Sequence, residues 1–360
     1  LFNIKKITSI SLFLPNLLFS DIRIANYNVE NLFDLNINGT EYDEYIPNGG
    51  TGWTEQIYLK KLNNISKVIS EAKPDIIGLQ EIENIDALID LQYILRSSSY
   101  KIDYPYFAIA EEKKIKSSVV VALLSKYPIK YTKEVKVTNH PMNRNILEVG
   151  LDINGETVIV FVNHWKSKSG SESRRIQSAE LLANRLKELD KNLPYILLGD
   201  FNSNHDEFKT FIKDKKLNDT NGKTGINHSL NTVENSDWQI TQWFKNLFGI
   251  DSSFDLVSEN SLKQNQELHY NLWLELPEED RWSYGSSKTR HTIDNIILPR
   301  SLYDGKGFEY KDNSFNVFRG AGTVNERGKI VRWARGKKKE HLGEGFSDHL
   351  LIYADFELKK

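Results

Sequence analysis

Several short apolar segments of this chain end on an acid or an amide, and that recurrence limits what the chain can become. They carry Asn28 and Glu30 in NYNVEN, Glu81 in IIGLQEIEN, Asp200 and Asn202 in ILLGDFN, Asp294 in HTIDNII, and Asp348 with His349 in FSDH. One such residue is usually a helix cap or a turn former. Asp200 could cap a helix starting near Asn204, and Glu81 one starting near Asn84. A whole ordered series is harder to explain as caps. A strand end delivers its side chain to one rim of a sheet with little freedom, and carboxylates gathered at one rim repel one another unless a cation sits among them. The chain contains no cysteine, which excludes zinc–thiolate sites, disulfides and cysteine nucleophiles. Oxygen donors alone suit Mg²⁺, Mn²⁺ or Ca²⁺ rather than zinc.

Periodicity supplies the frame. Ile22 to Asn28 reads as a strand. Leu62, Ile65, Ile69 and Ala72 have helical spacing within 54–72, a helix that Pro74 ends. A short apolar strand follows over 75–81, then a second helix over 85–96. Strand-like segments come next at 104–110, 117–124, 129–137, 146–153 and 157–163, the last two joined by the hairpin signal Asn154-Gly155. Residues 172–190 form an amphipathic helix, and Tyr195 to Gly199 is a buried strand leading into Asp200. Residues 213–285 are irregular and read as an insertion. Strands resume at 291–298 and 350–357. Hairpins mixed with helices predict an α/β sandwich, two mixed sheets with helices on the outer faces, rather than a doubly wound parallel sheet.

The first twenty residues stand apart. Lys5 and Lys6 precede an apolar run, Ile7 to Phe19, that ends at Ser20, as in a signal peptide; Pro15 and Asn16 interrupt the run, and the alternative is a buried first strand. The expectation is therefore a secreted or periplasmic protein whose mature domain covers 21–360. No other segment approaches the ~20 apolar residues of a membrane span.

Two histidines add proton chemistry. His164 follows an apolar strand and precedes Trp165-Lys166-Ser167-Lys168; His349 follows Asp348 directly. Beside strand-end carboxylates, they suit proton transfer or hydrogen bonding to a phosphate oxygen. Arg144 opens a strand and could bind a phosphate oxygen; its alternative is a surface ion pair. The run Arg327 to Lys339, with a tryptophan inside, would track a phosphate backbone beside Asp348-His349, or simply be a solvated loop. Trp243, Phe244, Leu247 and Phe248 have helical spacing and read as packing residues, with membrane contact as the other option. A net charge of −2 does not mark a nucleic-acid binder, but a nuclease needs only a local basic lining. Gly222-Lys223-Thr224 lacks the upstream glycine of a P-loop, and HExxH, GxSxG and GxGxxG are absent.

Taken in order, NVEN, LQE, NHWKSK, GDFN, TIDNII and SDH resemble the endonuclease/exonuclease/phosphatase superfamily, whose members include deoxyribonuclease I. NHWKSKSG with Arg174 and Arg175, and later YNLWLELPEEDRWSY, resemble its exported bacterial nuclease branch. The resemblance spans roughly 21 to 358 and implies the four-layer α/β sandwich of deoxyribonuclease I. It also implies roles. Glu81 would be the principal metal ligand, with Glu30 and Asp348 close by, and Asn28 and Arg144 would bind the substrate phosphate. Asp200 and Asn202 would orient and activate the attacking water. His349, polarised by Asp294, would hydrogen-bond the phosphate or act as base, and His164 would protonate the leaving oxygen. Glu30 stands where relatives often carry Asp, and the tyrosine that some relatives use near the phosphate is not identifiable. The implied function is an exported Mg²⁺-dependent endonuclease acting on DNA or RNA. The alternative is a phospholipid phosphodiesterase or a phosphatase on the same scaffold. No protein partner is legible.

Overall fold

Two parallel strand pairs, each bridged by one helix, organise the molecule. The computed structural model describes residues 21–110, 117–137, 143–234, 255–285 and 289–359. The expected signal segment and the Trp243–Phe248 stretch lie outside those residues.

The first sheet combines β1 (Ile22–Leu32), β2 (Ile76–Ile82), β3 (Tyr106–Ile109) and β4 (Val120–Ser125) with three strands from the far end of the chain. These are β13 (Gly307–Tyr310), β14 (Asn316–Val317) and β15 (Ile352–Lys359). Its order is β13-β15-β1-β2-β4-β3, with β14 also on β15. The second sheet holds β5 (Ile129–Val135), β6 (Ile146–Ile153), β7 (Glu156–His164), β8 (Tyr195–Asp200), β9 (His269–Asn271) and β12 (Asp294–Pro299), in the order β5-β6-β7-β8-β12-β9. The strands β10 (Tyr284–Gly285) and β11 (Arg290–His291) make a small separate ribbon. Within each sheet one pair is parallel, β1 with β2 and β7 with β8, and the other pairs are antiparallel. A parallel pair needs a crossover. Helices α1 (Glu55–Ala72) and α3 (Glu172–Lys187) supply these, and α2 (Ile85–Arg96) packs beside α1.

Alternation along the strands makes three apolar layers. Ile24 of β1 and Val121 and Leu123 of β4 face Val160, Val162, Ile196 and Leu198 of the second sheet. On the opposite face of the first sheet, Ala25, Tyr27, Ile77 and Leu79 pack on Leu62, Ile65 and Ile69 of α1 and Leu88 and Leu91 of α2. Phe161, Leu197 and Ile297 of the second sheet meet Ala179 and Leu182 of α3. The result is the predicted α/β/β/α sandwich. The two sheets approach closely at Gly78, where an added Cβ would lie 2.4 Å from Leu198 Cδ1 and 3.2 Å from Val162 Cγ1.

Helix ends follow local chemistry. The Thr54 side chain accepts from the Ile57 N–H, and the Asn84 side chain from the Ala87 N–H, each contributing about 1 kcal/mol. Asn84, not Glu81, thus caps α2. In the 213–285 region, β9 pairs with β12 and forms the edge of the second sheet. No helix among the described residues is long and apolar enough to cross a membrane.

Candidate active site

In a parallel pair both strands finish at the same edge, so the two pairs bring four chain segments to one rim. Asn28 and Glu30 close β1, Glu81 closes β2, His164 ends β7 and Asp200 ends β8. Register then aligns the second sheet, with His164 opposite Asp200 and Asp294 opposite Asp200 on the other side. The strand ends also carry local irregularities. Glu30, Glu81 and Asn202 have φ of 53°, 66° and 49°, and the β1–β2 and β2–β4 registers shift where Glu30 and Glu81 sit. Such bulges re-aim side chains at a rim.

Asn28 ties the sheets together. Its Nδ2 donates to Glu81 Oε1 and to Asp200 Oδ2, both at 3.2 Å. The Nε2 of His164 lies 3.8 Å from Glu81 Oε1 and 3.7 Å from Asp200 Oδ2, and its Nδ1 is buried without a partner. Burial, reinforced by Arg144, His349 and Lys166, holds His164 well below the ordinary imidazole range. Arg144 therefore stands on the His164 side of the site. The backbone N–H of Asn202 donates to Asp200 Oδ1 at 2.8 Å, and its side chain donates to Trp165 O at 3.1 Å. Burial pushes the Asp200 carboxyl up to about 7; His349 opposes the rise, and Asp294 and Glu81 add to it.

His349 Nδ1 lies 2.8 Å from Asp294 Oδ2, which also accepts from the Ser283 hydroxyl at 2.6 Å. The Nε2 of His349 is 3.9 Å from both Asp200 Oδ2 and Asp348 Oδ1. Burial alone would hold His349 down, but Asp294, Asp348 and Asp200 together raise it well above its ordinary value.

The residues present fit a hard divalent cation. Asp294 Oδ1 is buried with no hydrogen-bond partner. Asp200, Asp294 and His349 gather ligand-type atoms within 4.8 Å of one another, although the Asp294–His349 hydrogen bond engages that pair with each other. Glu81 and Asp348, each about one-fifth exposed, adjoin Asp200: Glu81 shares the Asn28 amide with it, and Asp348 shares the His349 Nε2. An oxygen-rich donor set of this kind matches Mg²⁺, Mn²⁺ or Ca²⁺ chemistry.

Glu30 is placed differently. Its Oε1 accepts from Arg332 at 2.7 Å and its Oε2 from the Trp333 backbone N–H at 3.2 Å. Beneath it, the buried Lys61 ammonium donates to Glu30 O at 2.9 Å and Phe346 O at 3.1 Å, clamping the segment of Glu30 to the segment of Asp348. Sequence reading did not single out Lys61 or Ser283. The unidentified tyrosine also has a candidate in Tyr284. Its ring lies 4.8 Å from the His349 ring, and its strand bridges to His349. The run Arg327 to Lys339 does reach the rim, through Arg332. Arg175, in contrast, is fully buried; it pairs with Glu172 at 2.7 Å and holds the carbonyls of Lys166, Ser167 and Gly170, so it shapes the loop after His164 from below.

The sequence model described as "Endonuclease/Exonuclease/phosphatase family" matches residues 23–238. No curated protein matches the chain by sequence. Solved structures share the fold at low identity. TDP2 of D. rerio, complexed with a single-strand DNA product, superposes with a TM-score of 0.52 at 14% identity, over 94% of this chain and 100% of that one. A family protein from Leptotrichia buccalis gives 0.53 at 13% identity, over 94% and 100%. The mannosyl-6-phosphatase of Bacteroides thetaiotaomicron gives 0.53 at 15% identity, over 93% and 99%.

Proposed function

Because the chain belongs to the endonuclease/exonuclease/phosphatase family, and is thus a metal-dependent phosphoric ester hydrolase, we propose that its substrate is a nucleic-acid phosphodiester, most simply DNA cut internally. The observation that carries this reading is the basic segment that reaches the rim through Arg332. It places Arg332 against Glu30 and Asp348 and leaves Arg327, Lys329, Lys337, Lys338 and Lys339 exposed nearby in the chain. The fold shared with a TDP2 structure that holds a DNA product supports the same substrate class.

Glu81 and Asp348 would hold the metal, for which Mg²⁺ is our choice. When bound, the ion would neutralise charge building on the phosphate oxygens. The residues divide the remaining work. Arg144 holds a non-bridging oxygen, while Asn28, whose amide N–H groups go to Glu81 and Asp200, keeps those two carboxylates in place. Asn202 fixes Asp200, whose raised affinity for protons suits it to take one from the attacking water. His349, kept protonated by Asp294, donates from Nε2 to the phosphate. His164, neutral in its buried position, donates a hydrogen bond on the leaving-oxygen side. Water adds to phosphorus as Asp200 takes its proton, the P–O bond opposite breaks, and the leaving oxygen takes a proton from solvent, to which Asp200 then returns the one it accepted. Electrostatic contacts of this kind each contribute about 10²–10³ in rate. Export belongs to the proposal as well, supported by the basic-then-apolar segment that ends at Ser20.

Closed-circular plasmid DNA, incubated with Mg²⁺ or with EDTA and with the His349→Ala variant, tests the reading. Nicking that needs both metal and His349 is expected. Intact plasmid alongside hydrolysis of a phosphomonoester or of sphingomyelin vesicles would overturn the nucleic-acid assignment and leave the phosphoesterase standing.

A further inference from the structure

Glu30 ends β1 with the other rim residues, yet both of its carboxylate oxygens are engaged by one distant segment. Oε1 takes Arg332 at 2.7 Å, and Oε2 takes the neighbouring Trp333 N–H at 3.2 Å. The same Arg332 nitrogen lies 3.5 Å from Asp348 Oδ2. Glu30 thus has both oxygens committed to that segment, whereas Glu81 is joined to Asn28.

The segment is built to hold this arrangement. Trp333 is fully buried, and its indole N–H donates to His341 Nδ1 at 2.9 Å. His341 lies against Trp53 and Tyr45, with ring centroids at 4.7 and 4.9 Å. The Lys61 ammonium sits 4.8 Å from the Trp333 ring. Backbone bonds from Val331 to Thr323 and from Phe346 to Val331 brace both sides. With Trp333 locked inward, its neighbour Arg332 must stand at the surface, and its side chain is 61% exposed. One guanidinium nitrogen meets Glu30 and Asp348; the flat group has further N–H donors for a ligand. A planar guanidinium anchored through one nitrogen keeps its other donors available for a phosphate. Arg144 acts electrostatically on His164 and Lys166, a second cation near the reacting centre.

We propose that Glu30 serves to aim Arg332, and that Arg332 grips a phosphate flanking the scissile one, so that the site selects a polynucleotide strand over a lone phosphoester. The inference rests on the nucleic-acid reading above and assigns that reading a specificity residue. It also moves Glu30 out of the direct metal shell.

Binding measured without cleavage tests it. Fluorescence anisotropy of a labelled single-stranded oligonucleotide, in EDTA over a series of salt concentrations, compares the parent chain with Arg332→Met and Arg332→Lys. We expect Arg332→Met to weaken binding about tenfold at low salt and to reduce the slope of log affinity against log salt by about 0.7, the share of one phosphate contact on a single strand. Arg332→Lys should keep the slope and lose about threefold in affinity, since it retains the charge without the fork. In parallel, Mn²⁺ titration calorimetry should find Glu30→Gln within about threefold of the parent, while Glu81→Gln loses binding. An unchanged slope in Arg332→Met, in a chain that still binds the oligonucleotide, overturns the role of Arg332 alone. Loss of Mn²⁺ affinity in Glu30→Gln overturns the aiming role. Absence of salt-dependent binding by the parent chain overturns the nucleic-acid reading and this proposal together.

Discussion

His349 Nδ1 lies 2.8 Å from Asp294 Oδ2, inside a pocket where both side chains are almost entirely buried. The pairing orients the ring so that Nε2 faces Asp200 and Asp348, and it explains why His349 keeps its proton. Asp294→Asn retains the shape and removes the charge. We expect kcat to fall about 10²–10³-fold with KM within about threefold. Steady-state kinetics on the preferred phosphoester checks this; an unchanged kcat would remove the dyad from the mechanism.

Metal dependence should be reversible and separate from folding. The three apolar layers are built from other residues than the rim acids. EDTA should abolish hydrolysis, Mg²⁺ should restore it, and far-UV circular dichroism should stay constant throughout. Glu81→Gln should lower Mn²⁺ affinity more than about 100-fold, beyond what loss of an outer partner does.

The β7–β8 junction should be intolerant of a single methyl group. Gly199 has φ +143°, and a Cβ there would lie 2.1 Å from the Asn163 carbonyl oxygen. Backbone cannot swing aside as a side-chain tip can. Gly199→Ala should cost about 2–4 kcal/mol, read as a lowered urea midpoint. Activity should fall as well, because the strain sits between His164 and Asp200.

Acid should destabilise the fold through its buried histidines. Burial holds His269 down to about 4, between Tyr195 Oη at 2.7 Å and Leu230 O at 2.8 Å. The unfolded chain takes up a proton near pH 6.5 that the folded chain refuses until about pH 4. The contribution is therefore intact above pH 6.5 and lost as pH falls towards 4, about 2 kcal/mol between pH 7 and 5. The stability gap between the parent chain and His269→Gln should narrow by that amount over this interval. A gap independent of pH would show that His269 is not held neutral.

Much of the scaffold was legible locally. The spacing of Leu62, Ile65 and Ile69 marked α1, the continuous apolar run before Asp200 marked β8, and Asn154-Gly155 marked the β6–β7 hairpin, because period and turn chemistry act within a few residues of chain. Motif order placed Glu81, Asp200, Asp294 and His349 in one functional set. The sequence by itself could not say that His164 and Asp294 flank Asp200 on opposite sides, since strand register across a sheet is a long-range choice. Nor could it separate Glu30 from Glu81. Both are acids at the ends of neighbouring parallel strands, and they differ because Trp333, some three hundred residues later, buries its ring and delivers Arg332 and a backbone N–H to Glu30 alone. Local sequence determined which segments end in chemistry. The pairing of strands and the burial of one tryptophan decided which of those ends meet, because only packing pulls such distant segments into one place against the entropy of the chain.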